Sequence, residues 1–232
     1  MAEKLNRDVI AQAGLRLLDA TGIEGITMRA LAAELGVQAP TLYWHVKSKR
    51  DIFRAMAVAM TRDASALVTA VDRGAPWQER VVSWAHALRR SMLSHRDGAR
   101  VFAGTFAPEP ATFDVTESAL EALQDAGLSV ADAAPRTILL RHFIVGFCIE
   151  EQELAELRVG QDRARRDELK TAADPARFPL TAQALPGMLN TAAEDRFELG
   201  IQLMLSGIAE RVAATKSMGH RAGSNRRSSR RQ

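Results

Sequence analysis

ITMRALAAELGVQAPTLYWHVKSKR, residues 26–50, is the stretch whose reading decides the fold. Thr27 carries an oxygen that can accept from the free N–H groups of a helix start. Leu31 and Leu35 follow four apart with Ala32 beside them, which makes one buried helical stripe. Gly36 stops that helix, because glycine tolerates the left-handed backbone found just past a helix end. Pro40 opens a second helix, since its missing N–H costs nothing in a first turn. Two short helices joined by a glycine-containing turn of about three to four residues read as a helix-turn-helix. The second carries Thr41, Tyr43, Trp44, His45 and Lys47, an odd set for a core and a natural one for a DNA groove.

Working outward, the rest of the chain reads as helices. Upstream, Asn6 is an N-cap for a helix with Val9, Ile10, Ala13, Leu17 and Leu18 on one face, ended by Gly22. Downstream, Ser48 with Asp51 resembles a capping box with a shorter acid, and the helix it starts should run to about Val71. Gly74 and Pro76 punctuate the chain before a helix bearing Trp77, Val81, Ala85, Leu88 and Met92. A short helix is expected within 95–103, another through Phe113, Leu120 and Leu123 to Gly127, and a longer one from Ser129. Pro135 should lie in the first turns of that helix or kink it. Residues 158–186 are charged, Pro-containing and weakly periodic and read as a mobile loop with a helical turn or two. The last helix, Asp195 to about Thr215, carries Gly200 and Gly207 seven apart, which allows close backbone approach. No strand pattern occurs, so the expected fold is all-α. Its parts are a helix-turn-helix domain at 1–50, a larger helical domain at 51–215 with 51–71 as connecting helix, which the resemblance given below makes an effector-binding and dimerisation domain, and a basic disordered tail at 216–232.

Composition bounds the function. At 232 residues, 47% hydrophobic and 25% charged, the chain can build a sizeable core. Its one cysteine, Cys148, excludes a disulfide framework or a cysteine zinc cluster. The start, MAEKLNRD, has no apolar signal segment, and no run of about 18 apolar residues offers a membrane span, so a cytoplasmic location is expected. Residues 1–51 hold 7 Lys+Arg against 6 Asp+Glu, residues 52–215 hold 18 against 22, and the tail holds 6 against none. The tail's charge fits either a solubilising end or non-specific attraction to DNA.

The helix-turn-helix residues divide by the contact each suits. Thr27 and Lys49 suit phosphates at the two ends, and Tyr43 and His45 can add hydrogen bonds to the DNA backbone. Arg29 can fork onto guanine, Gln38 can pair with adenine, and Pro40 and Thr41 can touch a thymine methyl group. Met28 and Ala39 complete the candidate surface. Each has a plainer alternative: a surface ion pair for Arg29, a helix cap for Gln38, packing on the first helix for Tyr43, the core for Trp44. No phosphate loop, HExxH or GxSxG occurs. Glu150, Glu151 and Glu153 lack a base partner, and His95, Asp97 and Cys148 are too separated to suggest a nucleophilic set, so no catalytic residue is assigned. An all-α enzyme or ligand carrier is the rival from another class.

GIEGITMRALAAELGV followed by PTLYWHVKSKRDIF is very similar to the N-terminal domain of the tetracycline-repressor (TetR) family of bacterial transcriptional regulators. SHRDGARVFAGT at 94–105 and HFIVGFCIEEQE at 142–153 also resemble core segments of its tetracycline-responsive members. The resemblance implies a homodimeric repressor of a palindromic operator. Helices matching 129–157 and 195–215 would pack as a four-helix bundle across the dimer, and a small molecule would tilt the connecting helix. It further implies an effector site at Trp84, Leu88, Phe102, Thr105, Phe106, Phe113, His142 and Glu150. The tetracycline-responsive members place a magnesium-binding imidazole where this chain has Phe102, and phenylalanine cannot ligate a hard cation. The expected effector is therefore apolar or aromatic, with no metal and no cofactor. A tetracycline-type repressor and a ligand-responsive activator are the alternatives. Ala39 stands where tetracycline-responsive members carry a longer polar side chain, so the operator should differ from theirs.

Overall fold

The computed structural model describes residues 5–105, 107–158 and 162–228. Eleven helices and no strand are found among these residues: α1 Arg7–Gly25, α2 Met28–Glu34, α3 Ala39–Tyr43, α4 Lys49–Thr69, α5 Trp77–Leu93, α6 Gly98–Phe102, α7 Pro110–Asp125, α8 Val130–Arg158, α9 Asp162–Ala172, α10 Pro179–Asn190 and α11 Ala193–Ser228.

Local signals set the first four helices. Asn6 accepts from Val9 N at 2.9 Å and Thr27 from Ala30 N at 3.1 Å, so each caps its helix. Gly22, at φ 72°, breaks the end of α1, and Gly36, at φ 64°, closes α2. Both values lie in the left-handed region that glycine enters without a Cβ clash. At α4, Ser48 Oγ accepts from Asp51 N at 3.2 Å, while the Asp51 carboxylate accepts from Lys47 N and Ser48 Oγ, each at 3.0 Å. The Ser48 hydroxyl, first among these donors, holds the Asp51 carboxyl below its ordinary pKa. Leu31, Leu42, Val46, Ile52 and Met56 bury against Ile10 and Leu18 to form the core of this part. Gly14 permits the close approach of α1 to α4, since a Cβ there would lie 2.9 Å from the Met56 sulfur.

α4 then continues among α5, α6 and α7, and α8 closes the second core. Arg89 on α5 ties α8 and α11 to this core. Its Nε and Nη2 meet the Glu151 carboxylate at 2.9 and 2.7 Å, Nη1 donates to Glu194, and the guanidinium lies 4.8 Å from the Phe197 ring centre. Two planar bonds to one carboxylate are the strong form of this pair, and they raise the basicity of Arg89 above its ordinary value.

Three expectations change. Where a mobile loop with a helical turn or two is expected, the described residues 162–186 hold α9 and part of α10. α9 is almost wholly polar, so its helix has no apolar stripe to read, and Pro179 sits at a helix start where it is tolerated. The last helix continues to Ser228 instead of stopping near Thr215, so the backbone of the expected disordered tail is helical to that point. No proline interrupts it. Gly200 does not free a face for a partner, because a Cβ there would meet Phe143 of the same chain at 2.3 Å.

The two cores meet at the α5–α6 turn. Asp97, in the left-handed region at φ 54°, accepts from Ile23 N at 2.8 Å, and Asp19 accepts from Arg96 N at 2.9 Å. Replacing Asp97 with alanine strands the Ile23 N–H and leaves a strained backbone. It should cost about 1–3 kcal/mol in a denaturant melt, with Asp97→Asn milder because asparagine tolerates this conformation.

Candidate DNA-binding surface and effector cavity

α3 is five residues long and packs beside α2. Leu42 and Val46, four apart, are fully buried and pin it to the core, and that register turns the intervening side chains outward. Trp44 is 88% exposed and Tyr43 50%, so neither the core reading of Trp44 nor the packing reading of Tyr43 holds. Arg29, Gln38, Pro40, Thr41 and His45 are exposed beside them, while Met28 and Ala39 are half-buried. Gln38 precedes α3 without a side-chain capping bond, which leaves its amide free to face outward. Thr27 spends an oxygen lone pair on Ala30 N and keeps its proton for an outside acceptor. Lys49 is exposed but already engaged: its Nζ donates to Ile23 O at 3.2 Å and lies 5.4 Å from the Phe53 ring centre. It closes α1 against α4 as well as standing at the end of the motif.

The effector residues divide. Trp84, Leu88, Phe102 and Thr105 converge on a cavity of about 60 Å³ in the second core. Phe113 is 55% exposed on the outer side of α7 and does not line it. The reason is its register: Val115, two residues on, takes the inward position. His142 and Glu150 are exposed on α8 and also lie outside the lining. Phe106 falls outside the described residues.

Several lining residues had no signal in the motif reading. Ala57, Val58 and Thr61 come from α4, Thr112 and Thr116 from α7, and Thr137 and Arg141 from α8. Arg141 could have been found as the one cation set in the apolar run around LLRHFIV. It donates to Thr105 O at 3.2 Å, and its guanidinium lies 5.3 Å from the Phe102 ring centre. Burial without an anionic neighbour lowers its basicity from the ordinary arginine value.

The described lining side chains include no carboxylate, imidazole or thiolate, and Arg141 adds a positive charge. These residues do not fit a divalent cation, which needs oxygen ligands and repels arginine. Of the acidic side chains weighed for proton transfer, Glu151 is bound to Arg89 and Glu150 lies at the surface. His95 pairs with Asp19 at 3.0 Å, away from Cys148. Cys148 is fully buried, and burial pushes its thiol up to about 12. In the native chain it should react with a disulfide reagent at pH 8 at least about a hundredfold more slowly than a free cysteine, recovering on denaturation. Ready native labelling would show a reactive thiol.

Comparison with known proteins agrees with this layout. Residues 10–56 match the family "Bacterial regulatory proteins, tetR family", and residues 71–212 match "Tetracyclin repressor-like, C-terminal domain". The class D tetracycline repressor protein of Escherichia coli is 34% identical over 212 residues, 91% of this chain and 92% of that one. A possible TetR family transcriptional regulator from Streptomyces coelicolor superposes with a TM-score of 0.77 at 35% identity, covering 88% of this chain and 98% of that chain. BioQ of Mycobacterium smegmatis, solved with its double-stranded DNA operator, gives a TM-score of 0.64 at 26% identity, covering 89% of this chain and 99% of that chain. With both domains matched in order, the chain belongs to the TetR family of bacterial regulatory proteins.

Proposed function

We propose that the chain is a homodimeric, sequence-specific transcriptional repressor, released from a palindromic operator when a small, mainly apolar or aromatic effector enters the cavity. The observation that carries this reading is that α4 serves both sites. Its first turns place Ile52 and Met56 in the core that carries α3, and its next turn places Ala57, Val58 and Thr61 in the cavity wall. A cavity of about 60 Å³ is well below the roughly 300–1,000 Å³ of ordinary ligand pockets. An effector must therefore move a wall, and α4 is the wall that leads to α3. The ligand shifts the balance because it binds the enlarged, DNA-incompetent arrangement more tightly than the compact one.

Dimerisation through α8 and α11 is supported by their unburied apolar side chains. Ile138 and Leu139 are 54% and 58% exposed, and Leu199 and Leu203 are 59% and 65% exposed. Two recognition helices brought together this way would meet half-sites about 34–36 Å apart. The same reading places the protein in the cytoplasm beside DNA and assigns it no catalytic chemistry, metal or cofactor. No helix among the described residues is long and apolar enough to cross a membrane. Magnesium–tetracycline is a poor match for Phe102 and Arg141, and nothing in the geometry favours an activator.

A gel-shift titration against inverted repeats near the protein's own coding region tests the proposal. Binding should be sequence-dependent, and Arg29→Ala should weaken it by about 1–3 kcal/mol with relaxed preference at one base pair. Absent or sequence-independent binding would overturn the repressor reading.

A further inference from the structure

The polar groups of the cavity are almost all committed to the protein itself. Trp84 Nε1 donates to Val115 O at 2.8 Å. Thr61, Thr105, Thr116 and Thr137 each donate to the backbone carbonyl four residues earlier, at 2.7, 3.2, 2.8 and 3.1 Å. A threonine with its proton spent this way can only accept from a ligand. Arg141 is different. One of its five N–H groups reaches Thr105 O, its guanidinium faces the Phe102 ring, and no carboxylate pairs with it among the described residues. A half-buried cation without a counter-ion is costly, and the deficit is relieved by an anion that arrives with the ligand.

We propose that the effector is an aromatic carboxylate, with its rings among Trp84, Leu88 and Phe102 and its carboxylate on Arg141. The ring system accounts for the apolar wall, and the acid accounts for the unpaired guanidinium, which can take a carboxylate in a two-bond fork. The threonine oxygens add a second preference: hydroxyl groups on the rings find acceptors there, while further carbonyl oxygens find no donor among the committed threonines. Among the described lining residues Thr112 is the threonine whose hydroxyl is not spent on a backbone carbonyl. This inference rests on the cavity being the effector site, and it narrows the effector from apolar molecules in general to organic acids.

The test uses the full-length protein and a matched series: benzoate, 2-naphthoate and 2-anthroate against their neutral amides, which keep the shape and lose the charge. Binding is followed by calorimetry and, independently, by quenching of the cavity tryptophan. At least one acid should bind the wild type about ten- to hundredfold more tightly than its amide, the worth of a charge-assisted pair in a site screened from water. Arg141→Gln should erase that preference, bringing the acid-to-amide affinity ratio down to about one whatever the absolute affinity of each. Arg141→Lys, which keeps the charge, should restore part of it and guards against simple misfolding of the glutamine variant. An acid series that never outbinds its amides, or a preference that survives Arg141→Gln, overturns the proposal. Release of operator DNA is scored separately. An Arg141-dependent preference without DNA release upholds the anion site and removes its regulatory role. DNA release by the amides as strongly as by the acids, with no binding preference between them, leaves the repressor reading standing and removes the anion site.

Discussion

Everything in this molecule depends on α4 being one unbroken helix shared by two cores. Its 21 residues span about 30 Å at 1.5 Å per residue. Among the described residues α4 both lines the cavity and follows directly on the segment of α3, while the α5–α6 turn makes a second contact between the cores. The helix is fastened at its start by the Ser48–Asp51 bonds and near its middle by Ser91 Oγ on Met60 O at 2.5 Å. Packed helices resist compression and change position in discrete steps. A push on Ala57, Val58 or Thr61 is therefore felt at Ile52 and Met56, one turn away, and from there by the pinned residues Leu42 and Val46.

Two further devices make this arrangement stiff. At the α5–α6 turn, Asp97 and Asp19 hold the backbone of Ile23 and Arg96, so the end of α1 cannot drift from the second core. On the opposite side, the Arg89 guanidinium gathers Glu151 and Glu194 over Phe197. Like the fastenings of α4 itself, these ties join elements across the two cores.

The sequence disclosed what is local and hid what is assembled over distance. Thr27, Gly36 and Ser48 act on neighbours within three or four residues, so their capping chemistry could be read directly and the helix-turn-helix followed from it. The all-α class followed equally from periodicity. The cavity is another matter, because α4, α5, α6, α7 and α8 each give it between one and three side chains and no single stretch contains it. Trp84 and Leu88 follow from the resemblance to tetracycline-responsive relatives and not from the periodicity of α5, whose stripe omits Trp84. Phe113 was misplaced because α7 has apolar side chains at both 113 and 115, and only packing chose between them. Trp44 looked equally suited to core or surface until Leu42 and Val46 were seen to occupy the buried positions. Arg141 passed unremarked because nothing in its immediate neighbours says that it faces a void. α9 lacked the apolar stripe that makes a helix visible.

The threonines of the cavity carry one more implication. Because Thr61, Thr116 and Thr137 satisfy themselves on their own helices and Thr105 on the end of α6, these hydroxyls need no ligand to complete their hydrogen bonds. Chemical preference is then concentrated in few positions, chiefly Arg141 and Phe102. A scaffold built this way can change what it senses by one or two substitutions in the lining without rebuilding its folding core. In this chain the residues that set the lining's chemistry, Arg141 and Phe102, are separate from Leu42 and Val46, which seat the segment that reads DNA, so the two can be altered independently.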